Sequence, residues 1–245
     1  MKFAVYVEGQ AEMYFVADVL QKYSAYDRDI IGFKCISLVA DVVKDVNYPE
    51  QDNIGAANYY QIVNVNNDDK VISKLNKDIP NLLKQGFQIV IGLKDVYGKA
   101  YEQLCKNAIV DRQKVEQLHD IQFKSIDTNN ADVRLHFAIM EYEAWMLALI
   151  GAYIEKKGMA IEDVEKTLSI DLSQDFENTV YHPTSKVKDV FELLDEKYGK
   201  HQGDEFSFLS SLTKDDYEAL RTSGRCVSFS KFLDSLFGAP KPALP

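Results

Sequence analysis

The sequence is poor in several residues and patterns, and each shortage excludes a class of protein. Its three cysteines, Cys35, Cys105 and Cys226, lie far apart, so neither a C-x-x-C zinc site nor a disulfide framework is predicted. No apolar run reaches the roughly 18 residues of a membrane span, and no basic segment precedes an apolar signal core at the N-terminus. We therefore expect a cytoplasmic protein whose cysteines are small, buried hydrophobic residues.

Short catalytic motifs are missing as well. The chain has no G-x-S-x-G turn, no Walker A loop and no G-x-G-x-x-G after a strand, so neither a nucleophilic serine hydrolase nor a chain that binds ATP by itself is supported. The net charge of −10 argues against a general basic field for nucleic acid, although it permits a local site.

Alternating strand and helix patterns fill the first part of the chain. Strands are predicted at residues 2–7, 33–39, 60–65, 87–93, 121–126 and 133–139. A helix between two of them contains Pro80, which we expect to kink or split it. A long polar connection covers residues 41–57. The alternation predicts an α/β domain with a largely parallel sheet over residues 1–155.

The second part of the chain reads as helical. A helix start is predicted at His182-Pro183-Thr184, and Thr213 with Asp216 forms a capping box ahead of another helix. Residues 156–245 are therefore predicted to form a helical C-terminal region packed on the first domain.

Carboxylates follow three of the predicted strands, at Glu8, at Asp95 and at Glu141 with Glu143. If the strands before Glu8 and Asp95 are parallel neighbours, the two residues emerge about 4.8 Å apart at the edge where open α/β sheets bind ligands. Carboxylates that close repel each other unless a hard divalent cation lies between them. The alternative for Glu8 is a βα turn in which Gly9 relieves the backbone and Glu12 is a carboxylate favoured at the start of a helix. For Glu141 and Glu143 the alternative is a negative charge favoured at a helix N-terminus.

Several short segments resemble, in order, the signatures of the bacterial family called domain of unknown function 4276. They are Val7-Glu8-Gly9-Gln10-Ala11-Glu12, Lys94-Asp95-Val96-Tyr97-Gly98, the run from His136 to Glu143, Ser185-Lys186, Tyr198-Gly199-Lys200 and Arg225-Cys226. That family is regarded as a relative of the Toprim fold of topoisomerases, primases and overcoming-lysogenization-defect nucleases. The resemblance implies a Toprim-like sheet flanked by helices.

The resemblance also implies a metal-dependent site that binds Mg²⁺ or Mn²⁺. Glu8 matches the glutamate after the first Toprim strand, and Asp95 matches the first member of the D-x-D pair. Tyr97 stands where the second aspartate would be, which puts a two-metal site in doubt, and Glu141 or Glu143 could supply the missing carboxylate. The implied chemistry is phosphoryl transfer at a phosphodiester, with Glu8 and Asp95 as catalytic residues.

Cationic residues could pair with the phosphate oxygens of such a substrate: Lys94, Lys186, Lys200 and Arg225. The alternative is that Lys186 and Lys200 are solvated helix residues and that Arg225 forms an internal ion pair.

Two functions follow from the sequence. The first is a metal-dependent nuclease or phosphotransferase that acts on nucleic acid in a defence or repair setting, with a separate ATPase as partner. The second is a non-catalytic adaptor that binds a partner protein, which Tyr97 and the negative net charge favour. The oligomeric state is left open.

Overall fold

The computed structural model describes residues 1–39, 42–46, 48, 51–66, 70–96, 105–106, 109–179, 182–201 and 203–238, with the side chains of residues 105, 106 and 109 excepted. The strands are β1 (Lys2–Val7), β2 (Ile31–Val39), β3 (Val42–Asp45), β4 (Asn58–Asn64), β5 (Ile89–Val96), β6 (Cys105–Lys106), β7 (Ile109–Val110) and β8 (Asp132–Ile139). The helices are α1 (Gln10–Tyr23), α2 (Val71–Lys84), α3 (Arg112–Lys124), α4 (Tyr142–Lys156), α5 (Ile161–Leu168), α6 (Phe176–Thr179), α7 (Pro183–Leu193), α8 (Phe206–Ser211), α9 (Lys214–Thr222) and α10 (Val227–Leu236).

The main sheet has six strands in the order β3-β2-β4-β1-β5-β8. Strand β1 runs parallel to both β4 and β5, β2 runs parallel to β4, and β3 is antiparallel to β2. Residues Phe3–Val7 of β1 are all buried, as expected for an apolar run in a parallel sheet covered on both faces. The predicted α/β class with a largely parallel sheet is therefore confirmed.

Helix α2 shows how sequence spacing produces the packing against this sheet. Its buried residues are Val71, Leu75, Ile79 and Leu82, which recur at the helical period. Gly92 in β5 makes room for them, since a Cβ there would lie 2.9 Å from Leu75 Cδ1. A Cβ at this position would force the Leu75 side chain to move.

The structure differs from the sequence-based secondary structure in three places. Residues 121–126 do not form a strand, because α3 runs to Lys124, and Ile121, the first apolar residue of the run, is 67% exposed. Pro80 lies inside α2 on its exposed face, and the helix continues to Lys84, so the predicted split does not occur; the predicted kink stays a prediction. Strand β3 lies within the long polar connection predicted over residues 41–57.

The described residues fall into two compact units that interleave along the chain. The first takes in residues 1–94, 116–137 and 231–245, and the second residues 95–115 and 138–230. The boundary predicted after residue 155 stays a prediction. Within the described residues, no helix is both long and apolar enough to cross a membrane.

The second unit is built around α4, which packs against α6, α7, α8 and α9. The helix starts predicted for this part of the chain are confirmed. Pro183 occupies the first turn of α7 after His182, and Thr213 and Asp216 form the reciprocal capping box of α9.

Candidate functional site

Glu8 lies in the first unit, directly after β1, and only 5% of it is exposed. Gly9 is the N-cap residue of α1, and the carboxylate of Glu12 folds back over it, so that a Cβ on Gly9 would lie 2.7 Å from Glu12 Oε2. Glu12 is also buried. Two carboxylates therefore lie out of bulk water within one turn of the end of β1.

The position of Glu8 in the sheet is the one at which open α/β folds bind ligands. The chain leaves β1 toward β2 on one side and leaves β5 toward β8 on the other, so the neighbouring strands β1 and β5 flank the topological switch point. The last register pair is Tyr6 with Gly92, which places Glu8 two residues further on, level with Lys94. Lys94 is 4% exposed.

In the second unit, the end of β5 lies beside the end of β8. The Met140 N–H donates to the Val96 carbonyl at 3.2 Å, so Asp95 and Glu141 each lie one residue from this hydrogen bond. Asp95 and Glu141, two of the predicted carboxylate positions, thus lie at the adjacent C-terminal ends of two neighbouring strands. Tyr97 lies outside the described residues.

Glu141 and Glu143 share one cation, the ammonium of Lys200. Lys200 Nζ is 2.9 Å from Glu141 Oε1 and 2.9 Å from Glu143 Oε1. The side chains of the two glutamates are 9% and 3% exposed, whereas that of Lys200 is 41% exposed. We call these three residues the carboxylate–lysine cluster.

Two hydroxyl groups fix the carboxylates of this cluster. Thr184 Oγ1, in the first turn of α7, donates to Glu141 Oε2 at 2.7 Å, and the Tyr198 hydroxyl donates to Glu143 Oε1 at 2.8 Å. Hydrogen bonds to ionised acceptors are stronger than neutral ones and hold the acceptor in one orientation. The two carboxylates are therefore positioned before any ligand arrives.

The backbone that carries Glu141 is unusual. Met140 has φ 62°, and Glu141, the N-cap residue of α4, has φ 71° and ψ 162°. This second combination belongs to a region that is almost restricted to glycine and costs on the order of 1–3 kcal/mol for another residue. Such strain persists where surrounding contacts hold it in place, and it is concentrated at functional sites.

The electrostatics of the cluster follow from burial and from the proximity of like charges. Burial, and then the charge of Glu143, raise the pKa of Glu141 above its ordinary value, while Lys200 and Thr184 act in the opposite sense. Burial acts to lower the pKa of Lys200, but the charges of Glu143 and Glu141 outweigh it and raise that pKa. The lysine thus stays charged, and it compensates the two carboxylates only in part.

A further buried carboxyl, Glu205, belongs to the same region of the second unit. It is 2% exposed, and burial raises its pKa to about 7, with the charges of Asp204 and Glu143 acting in the same direction. Sequence reasoning assigned no role to Glu205, Thr184 or Tyr198, because their contacts join separate segments of the chain. Two signals were available: Thr184 at the predicted start of α7, and Tyr198 in a segment that carries the family resemblance.

The remaining predicted phosphate ligands have local partners. Lys186 Nζ is 3.3 Å from Asp189 Oδ2 on the same helix, and Arg225 Nη1 donates to the Leu172 carbonyl at 2.9 Å. Among the described residues, no group of three or more His, Cys, Asp or Glu side chains is arranged to hold a metal ion. The predicted metal ligation stays a prediction.

Comparison with known proteins identifies a family for this chain but no activity. The family model described as Domain of unknown function (DUF4276) matches residues 7–236. No curated protein and no solved structure matches the chain significantly.

Proposed function

The chain belongs to the DUF4276 family, and we propose that it is a magnesium- or manganese-dependent enzyme that cleaves or transfers phosphodiesters of nucleic acid. The observation that carries this proposal is the carboxylate–lysine cluster, in which two buried and oriented carboxylates share one cation at the end of β8. The strained backbone of Glu141 supports a functional role for the cluster.

The donor set of the cluster fits a hard divalent cation. Carboxylate oxygens are the ligands that Mg²⁺ and Mn²⁺ prefer, and Glu141 and Glu143 each present one oxygen to the same ammonium. Asp95, one residue before the end of β5, lies on the strand that neighbours the end of β8. A divalent cation bound there would supply Lewis-acid stabilisation of phosphoryl oxygens.

The chain's own residues would orient the two carboxylates and neutralise the charge of a phosphate. Thr184 and Tyr198 hold the two carboxylates, and Lys200 provides positive charge for a phosphate oxygen. Glu8, at the switch point of the sheet, is the proposed general acid or base. The Toprim resemblance supports nucleic acid as substrate and a separate ATPase as partner in a defence or repair system.

Metal titration and nuclease assays test this proposal together. Calorimetry with Mn²⁺ is expected to show binding that is lost in Glu141→Gln/Glu143→Gln and kept in Glu155→Gln, an exposed position on the same helix. Cleavage of single- and double-stranded DNA and RNA is expected to require the metal and to be lost in Glu8→Gln and Asp95→Asn. Activity that survives these two substitutions would show that the assigned site is wrong.

The second candidate function is a non-catalytic adaptor that binds a partner protein. The observation that favours it is that Lys200 already compensates one of the two negative charges of the cluster. An adaptor is expected to bind no divalent cation at millimolar concentration. Metal binding with an intact cluster would count against this second candidate.

A further inference from the structure

Lys200 differs from the carboxylates that it bridges in its access to solvent. Its side chain is 41% exposed, whereas those of Glu141 and Glu143 are 9% and 3% exposed. Lys200 is therefore the most solvent-exposed member of the carboxylate–lysine cluster. A cation that binds Glu141 Oε1 and Glu143 Oε1 together must displace this ammonium, which lies 2.9 Å from both oxygens.

The chain around Lys200 is fixed on both sides, so its side chain can leave without a rearrangement of the backbone. Tyr198 is anchored to Glu143, and the N–H groups of Gly199 and His201 donate to Asp204 Oδ2 at 2.6 and 3.0 Å. The lysine side chain is a flexible four-carbon stem that ends in a point charge. Rotation of this stem is enough to open the pair.

The charge balance favours exchange for a divalent ion. Two carboxylates with one ammonium leave one negative charge uncompensated, whereas a divalent cation compensates both. The ammonium lies 2.9 Å from each oxygen, but Mg²⁺ binds carboxylate oxygens at about 2.0–2.1 Å and so interacts with them more strongly.

We propose that Lys200 is an exchangeable internal cation: it occupies the Glu141–Glu143 pair in the metal-free protein, competes with the divalent ion, and is released toward phosphate when the ion binds. This inference rests on the proposed function, because it concerns the same carboxylates. It gives the lysine two successive partners, first the carboxylates and then an anionic oxygen of the substrate. Phosphate binding through Lys200 thereby becomes dependent on the metal.

The test measures Mn²⁺ affinity of the full chain by electron paramagnetic resonance. Lys200→Met is compared with Lys197→Met, which removes the same charge from an exposed lysine three residues earlier, and with Lys200→Arg, which keeps the competing charge. We expect Lys200→Met to bind Mn²⁺ about tenfold more tightly than Lys197→Met, equivalent to about 1.4 kcal/mol. Lys200→Arg is expected to bind like the wild type.

The outcomes separate this inference from the proposed function. Equal or weaker binding by Lys200→Met overturns the exchange and leaves the metal site in place, whereas no binding by any variant overturns both. If Lys200→Met does not fold, reductive methylation of the wild-type chain decides: Mn²⁺ is expected to increase the modification of Lys200 relative to Lys197. An unchanged ratio in a chain that binds Mn²⁺ overturns the exchange.

Discussion

Glu177 is expected to be among the most sensitive single positions for the stability of the second unit. Its side chain is fully buried and accepts hydrogen bonds from Trp145 Nε1 at 3.1 Å, the Ser228 N–H at 3.2 Å and Arg112 Nη2 at 3.1 Å. Trp145 lies on α4 two residues after Glu143. The carboxylate of Glu177 therefore ties the helix that carries the candidate site to α6 and α10.

The cost of Glu177→Ala can be worked out from these contacts. Each buried donor left without its partner costs about 1–3 kcal/mol. Trp145 Nε1 keeps the Ser228 hydroxyl at 3.1 Å, and the Arg112 side chain is 35% exposed, so water can solvate it. The Ser228 N–H, the Ser228 hydroxyl, which also donates to Glu177 Oε1, and the lost side-chain volume remain uncompensated. We expect a loss of about 3 kcal/mol, a large part of a typical unfolding free energy of about 5–15 kcal/mol.

Urea unfolding followed by tryptophan fluorescence measures this loss directly, because Trp145 is the single tryptophan of the chain and a direct partner of Glu177. Glu155→Ala, at an exposed position of α4, is the matched control and is expected to change the unfolding free energy by less than about 0.5 kcal/mol. A Glu177→Ala loss below about 1 kcal/mol would refute the reasoning.

Three further predictions concern buried groups. Burial raises the pKa of Glu205 from 4.5 to about 7, so the unfolding free energy of the wild type falls as pH rises through this window. Glu205→Gln should therefore gain up to about 3 kcal/mol of stability over the wild type between about pH 5 and pH 8, and a pH-independent difference between the two would contradict this. Gly92→Ala should destabilise by about 1–3 kcal/mol in urea unfolding because its Cβ would crowd Leu75, and an unchanged midpoint would be inconsistent with that contact. Burial raises the pKa of Cys35 to about 12 and that of Cys226 above its ordinary value. In a chain that carries Cys105→Ser, thiol reagents should therefore modify neither cysteine until urea is added. Modification of the folded chain would contradict the burial of these two thiols.

Much of the sheet could be predicted from local pattern because its strands are continuous apolar runs. Residues 2–7, 60–65 and 133–139 each overlap an observed strand, since no helical stripe competes with the run. The run from Ile121 to Ile126 alternates as a half-buried strand would, yet it belongs to α3. Helix formers such as Gln113, Lys114 and Glu116 extend the helix into it.

Only the carboxylates of the candidate site could be predicted from the sequence. Glu141 and Glu143 follow an apolar strand, and this position is visible in the sequence. Their pairing with Lys200 is not visible, because the lysine lies some 60 residues further along the chain in a stretch without regular structure. Contacts of that kind depend on tertiary packing, and the hydrophobic periodicity of the sequence carries no information about them.

The central claim is that Glu141 and Glu143 bind a divalent cation. Anomalous diffraction from crystals of the full chain soaked in Mn²⁺ tests it most directly. We predict a peak in ligand contact with an oxygen of each carboxylate, at roughly 2.0–2.4 Å, with Lys200 Nζ moved out of the pair. The absence of a peak at these two residues, with Lys200 still between them at millimolar Mn²⁺, would contradict the claim.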